Sequence, residues 1–132
     1  LSCWSNLLQS FYCSSYCFFD IGILLMTPKL VRDCIPQIIE ETNSTCTVSY
    51  VNDVKEHMRW LKSKMLEETE EFISEPSYSE AADMIEVVKA FCYLNGLEWE
   101  AVLSRADDKC ETHGGFYTGV ILGTVDYRMD DV

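Results

Sequence analysis

Residues Asp53–Ser74 read DVKEHMRWLKSKMLEETEEFIS, and this stretch decides the fold. Val54, Met58, Leu61 and Met65 recur at steps of 4, 3 and 4, the spacing of one face of an α-helix. The next step of 3 lands on Glu68, and the step of 4 after that lands on Phe72. A carboxylate therefore holds a position where the pattern calls for a hydrophobe. Glu71, three residues after Glu68, projects from nearly the same face one turn on. Asn52 is a candidate N-cap for this helix, and Pro76 ends it.

The anomaly returns beyond Pro76. The spacing predicts a helix over Tyr78–Leu94, closed by Asn95-Gly96 as a left-handed C-cap. Met84, Val87, Val88 and Phe91 form its apolar side; four residues before Met84 stands Glu80, and four before Val87 stands Asp83. Eight residues (72–79) separate Glu71 from Glu80, enough for the turn of an antiparallel hairpin. Two acidic pairs would then face each other near that turn. Four gathered carboxylates cannot all stay ionised without compensation. A hard divalent cation with oxygen ligands, Mg²⁺ or Mn²⁺, resolves the conflict. A di-iron carboxylate bundle needs Glu-x-x-His, and the residues three before His57 and His113 are Val54 and Cys110. A second reading is also open. Glu67, Glu68, Glu70 and Glu71 can form a solvated face, with Lys64 and Glu68 as an i, i+4 pair. Ser77-Tyr78-Ser79-Glu80 can close as a capping box.

Outward from this hairpin, two further helices are predicted. One covers Val31–Glu41, with Ile35, Ile38 and Ile39 on its apolar face and Pro36 in its first turn. The other covers Glu98–Thr112 and stops at Gly114-Gly115. Thr42–Thr47 is a polar loop, and its sequon Asn43-Ser44-Thr45 reads as part of that loop. A short β-prone run, Val120-Ile121-Leu122, precedes an acidic end. The fold class is all-α, a bundle of about four helices with a short irregular C-terminal tail.

The 132 residues suit one domain, predicted over 26–122, with an acidic tail at 123–132. Residues 1–25 hold one charge, Asp20, and no Lys or Arg. That segment lacks the positive region of a secretory signal. Gln9, Ser14-Ser15 and Asp20 also break it as a membrane span. It reads as an extension upstream of a domain beginning near Met26, with a packed or membrane-touching helix, or a targeting role, as the alternatives. Seven cysteines without a C-x-x-C pattern suit reduced thiols and a cytoplasmic location. The net charge of −12 speaks against a nucleic-acid polymer as partner, and no membrane partner is expected. Phosphates could be handled only if a bound cation offset that charge.

The acidic pattern resembles a family. Lys64-x-x-Glu67-Glu68-x-x-Glu71 followed by Glu80-x-x-Asp83 is similar to the E-E-x-x-E…E-x-x-D signature of the all-α nucleoside triphosphate pyrophosphohydrolases. These are the MazG-like proteins, relatives of dimeric dUTPases and phosphoribosyl-ATP pyrophosphohydrolases. Lys29-Leu30-Val31-Arg32-Asp33-Cys34-Ile35-Pro36 resembles the K-L-V-R-D-K-I-P opening of a small single-domain branch. Lys109-x-x-x-His113-Gly114-Gly115-Phe116 resembles its K-x-x-x-R-G-G-F ending. The resemblance implies Mg²⁺-dependent cleavage of a nucleotide between its α and β phosphates, releasing a nucleoside monophosphate and pyrophosphate. It implies Glu68, Glu71, Glu80 and Asp83 as metal ligands, and Glu67, Glu68 and Glu71 as the acids that act on the attacking water. Arg32, Lys64, Lys109 and His113 are candidate phosphate contacts; Arg32, Lys64 and Lys109 read equally as ordinary surface ion pairs. A homodimer or higher homo-oligomer is expected.

The pattern departs from the family at three places. Cys34 replaces a Lys, His113 an Arg, and Gly119 a basic residue, so three positive charges are missing near the expected phosphates. Protonated His113 restores part of one, although a His at a helix C-terminus also needs no ligand to explain it. Trp60, Trp99 and Tyr93 are aromatic candidates for stacking on a base, or members of the core. These departures motivate an alternative, a non-catalytic nucleotide- or protein-binding module of the same fold. An acidic helical adaptor without metal is a third reading.

Overall fold

A computed structural model describes residues 16–18 and 24–126 of the chain. Most of the expected extension (1–15 and 19–23) and the end of the acidic tail (127–132) lie outside the described residues. The elements are β1 (Tyr16–Phe18), β2 (Leu24–Met26), α1 (Ile35–Glu41), α2 (Val54–Ser74), α3 (Tyr78–Leu94) and α4 (Trp99–His113). The fold class is all-α, with four helices among the described residues. The short ribbon β1–β2 is antiparallel, with Tyr16 opposite Met26 and Phe18 opposite Leu24. The sequence reading assigns no strand there. No helix among the described residues is long and apolar enough to cross a membrane.

Two compact units divide the chain, Leu1–Val87 and Val88–Val132, and the boundary falls inside α3. In the first unit α1 begins at Ile35 rather than at Val31. Pro36 sits in its first turn, where a missing N–H costs nothing. The Ile35 amide donates to the Arg32 carbonyl at 3.0 Å, so Arg32–Ile35 form a turn that leads into the helix. The cap of α2 is also corrected by one residue. Asp53, not Asn52, is the N-cap: its backbone is extended, and its Oδ1 accepts from the Glu56 amide at 2.7 Å. Glu56 Oε2 in turn accepts from the Asn52 backbone and side-chain amides, each at 2.9 Å. The pair works as a capping box whose return bond falls one residue upstream.

The predicted stripe of α2 is the side that packs. Leu61 and Glu68 are buried, Met58, Met65 and Phe72 are half-buried, and Val54 is exposed at the helix start. On α3, Val87 is buried, with Glu80, Asp83 and Met84 half-buried beside it in sequence. Leu66, Ile73 and Ile85 lie off these stripes and stay exposed.

In the second unit α3 ends where the sequence places its stop. Gly96 has φ +69°. The Leu97 amide donates to the Cys92 carbonyl at 2.9 Å, and the Gly96 amide to Tyr93 at 3.1 Å, the paired bonds of a left-handed helix cap. Helix α4 runs one residue later at each end than the predicted Glu98–Thr112, with Glu98 as a cap whose side chain makes no capping bond. The β-prone run Val120–Leu122 lies in no strand and is exposed.

Candidate metal centre

Residues 75–77 join α2 to α3. Glu68 lies well before the end of α2 and Asp83 well after the start of α3, yet their carboxylates meet, so the chain doubles back between them. Ser77 Oγ accepts from the Glu80 amide at 3.1 Å, so the S-x-x-E motif does cap α3. The Glu80 carboxylate does not complete that box: its Oε2 is buried without a hydrogen-bond partner among the described residues. It turns instead toward Glu68 and Asp83. Capping and cluster formation therefore use different atoms of one residue.

The acids gather in two groups, Glu67–Glu68–Glu71 and Glu68–Glu80–Asp83, each offering oxygens within 4.8 Å of one another. Glu68 belongs to both and is only 4% exposed. Each of the five acids singled out by the sequence falls in one of these groups, but the expected quartet is split: Glu71 is grouped with Glu67 and Glu68, and Glu80 and Asp83 are grouped with Glu68. The solvated-face reading holds for Glu70, which is exposed, and not for the buried Glu68, although the Lys64–Glu68 i, i+4 pair of that reading is formed.

Three cations sit against these carboxylates. Lys64 Nζ lies 2.6 Å from Glu68 Oε1 and 3.1 Å from Glu67 Oε1. Lys29 Nζ lies 3.2 Å from the same Glu67 oxygen. Arg32 donates through Nε at 3.1 Å and through Nη2 at 2.5 Å to Asp83 Oδ1. Arg32 and Lys64, expected as phosphate contacts, are here counter-ions of the acids. Lys29 is the residue that sequence reasoning missed as a site member. It opens the same short segment as Arg32, which is the available signal; helical periodicity says nothing about a contact 38 positions away. Lys109 and His113 are exposed and belong to the second unit, with His113 Nδ1 2.7 Å from Thr112 Oγ1. Trp60 and Trp99 are half-buried and Tyr93 is exposed.

The electrostatics follow from this crowding. Burial, and then the charges of Glu68 and Glu67, push the Glu71 carboxyl above its ordinary value. Burial, followed by Asp83 and Glu68, does the same to Glu80. Burial alone would also raise Glu67, but its bonds to Lys64 and Lys29 outweigh that and hold it below the ordinary value. Lys64 shows the mirror case: burial would lower it, and its bonds to Glu68 and Glu67 keep it raised.

The donor set suits a hard divalent cation. Both groups consist of carboxylate oxygens without thiol or imidazole, the ligands of Mg²⁺ or Mn²⁺ rather than of zinc. The unpartnered Glu80 Oε2 is an oxygen such an ion could take up. Comparison with protein-family models, with curated proteins and with solved structures finds no match to this chain.

Proposed function

We propose that the chain is a Mg²⁺-dependent, MazG-like nucleoside triphosphate pyrophosphohydrolase that cuts between the α and β phosphates to give a nucleoside monophosphate and pyrophosphate. The observation carrying this reading is the convergence of Glu67, Glu68, Glu71, Glu80 and Asp83, with Glu68 common to both groups. In this reading Glu68, Glu71, Glu80 and Asp83 hold the cation, for which Mn²⁺ is a substitute. A bound divalent ion would offset the triphosphate charge and acidify a coordinated water. Glu67, beside Glu68 and with a carboxyl held below its ordinary value by Lys64 and Lys29, is suited to orient that water. The resemblance also counts Glu68 and Glu71 among the acids that act on the water, and burial with the neighbouring acids raises the Glu71 carboxyl. The resemblance assigns phosphate contacts to Arg32, Lys64, Lys109 and His113; Arg32 and Lys64 pair with the acids, and Lys109 and His113 are exposed. A cytoplasmic location and self-association complete the proposal.

The full chain incubated with Mg²⁺ and a panel of ordinary and modified nucleotides is expected to release pyrophosphate, and a chelator to stop it. Asp83→Asn and Glu71→Gln are expected to lower the rate by about 100-fold or more with unchanged helical circular dichroism. Absence of turnover with every nucleotide would sink the activity. The second reading, a non-catalytic nucleotide-binding module, is favoured by Cys34, His113 and Gly119, where the family pattern has basic residues. Calorimetric nucleotide binding without hydrolysis distinguishes it.

A further inference from the structure

We propose that Lys29 and Arg32 form a counter-ion strap over the acidic cluster: Arg32 holds Asp83, a ligand in the reading above, and Lys29 holds Glu67 beside the ligand Glu68; on cation binding they are displaced and become free to bind phosphate, coupling cation binding to anion binding. The inference rests on the metal-binding reading above and adds to it an exchange built into the chain's own residues.

Three observations carry it. First, the strap and the cation draw on the same acidic groups: Asp83 is a ligand in the reading above, and Glu67 shares a group with the ligands Glu68 and Glu71. Glu67 Oε1 already accepts from two ammonium groups, Lys29 and Lys64, and Asp83 Oδ1 takes both Arg32 donors. Second, the three cations are not equivalent. The Lys64–Glu68 pair is formed within α2, with side chains 18% and 5% exposed. The strap pairs are more open, at 28% and 30% for Lys29–Glu67 and 52% and 29% for Arg32–Asp83. Ion pairs reached by water are individually weak and exchange readily; the buried pair stays. Third, Lys29 and Arg32 lie ahead of α1 in no helix or strand, so their side chains can leave without unfolding an element. Removed from their carboxylates, they are an ammonium and a guanidinium beside an acidic centre, the groups that pair with phosphate oxygens. Linkage then requires reciprocity: phosphate favours the cation as much as the cation favours phosphate.

The test is titration calorimetry on the full chain with Mg²⁺ alone, and with inorganic pyrophosphate at fixed free Mg²⁺. The proteins compared are the unaltered chain, Lys29→Gln/Arg32→Gln, and the charge-matched control Lys55→Gln/Lys62→Gln, whose lysines are exposed. The strap variant is expected to bind Mg²⁺ roughly three- to tenfold tighter than the control, and its pyrophosphate affinity is expected to lose most of its Mg²⁺ dependence. Lys29→Gln and Arg32→Gln singly should each show part of the gain, so the expectation survives any misfolding of the double variant. Mg²⁺ affinity in the strap variants no greater than in the control overturns the strap. Absence of Mg²⁺ binding in the unaltered chain and in every strap variant instead removes the metal reading itself, a distinguishable outcome.

Discussion

Glu68 places a carboxylate at 4% exposure between two groups of acids, and its nearest compensation is the Lys64 ammonium at 2.6 Å. Removing one partner of such a pair leaves the other charge without its counter-ion in a poorly solvated site. Lys64→Met is therefore expected to destabilise the chain by about 2–3 kcal/mol, the low end for a buried pair, because Lys64 itself reaches water. Urea unfolding at neutral pH measures this. Millimolar Mg²⁺ should recover part of the loss, since a cation among the same oxygens replaces the missing charge. A loss of only about 0.5 kcal/mol would mean that the pair behaves like an exposed one. The position of Glu68 was legible in the sequence because an acid interrupted an otherwise apolar step pattern. The partnership of Arg32 with Asp83 was not: it spans 51 positions, and no local periodicity records a contact between a turn and a distant helix.

At the scale of elements, the helix hairpin concentrates carboxyls whose protonation responds in opposite directions. Glu71 and Glu80 are raised by burial and neighbouring acids, so the folded chain binds protons there more readily than the unfolded chain does. Between the ordinary carboxylate value and their raised values, stability falls as pH rises. Glu67 and Glu56 are shifted the other way. For Glu67 burial is outweighed by Lys64 and Lys29, while for Glu56 the Asn52 amide leads. Their contribution is present above the ordinary value and is lost as pH falls through it. The thermal midpoint is accordingly expected to fall as pH rises above the ordinary carboxylate range, where Glu71 and Glu80 lose their protons, and to fall also as pH drops below that range, where Glu67 and Glu56 gain theirs. Saturating Mg²⁺ should flatten the upper limb, because it offsets the repulsion that protonation relieves; a midpoint indifferent to pH above 5 would falsify the crowding. The helix ends offer a separate check. Asp53→Ala removes a bonded N-cap and should cost about 1 kcal/mol. Gly96→Ala should cost about as much, through backbone conformation alone, since an added Cβ would meet nothing within 4 Å. The C-cap of α3 was readable because Asn-Gly has few other uses at a helix end. The N-cap of α2 was misplaced by one residue because Asn52 and Asp53 are both good caps, and only the Glu56 bonds decide between them.

The described residues as a whole bury few apolar side chains. Leu61, Val87 and Cys92 are the buried hydrophobes among them, whereas Leu66, Ile73, Tyr78 and Ile85 are each more than half exposed. The exposed four fall into two pairs at i, i+7, Leu66 with Ile73 on α2 and Tyr78 with Ile85 on α3, so each helix carries a second apolar line beside its buried stripe. Apolar positions recurring along a helix and left in water are the usual mark of a contact surface, which supports the proposed self-association. The net charge of −12 opposes it, because like-charged copies repel across solvent. These two terms respond differently to salt: screening weakens the repulsion and leaves apolar burial in place. Sedimentation velocity is therefore expected to show a dimer or larger species whose population grows between low and moderate NaCl. Leu66→Glu/Ile73→Glu should shift it to monomer while the buried stripe holds its helicity. A monomer at every salt and protein concentration, melting with full cooperativity, would mean that the small core suffices alone and that these lines of hydrophobes cover nothing.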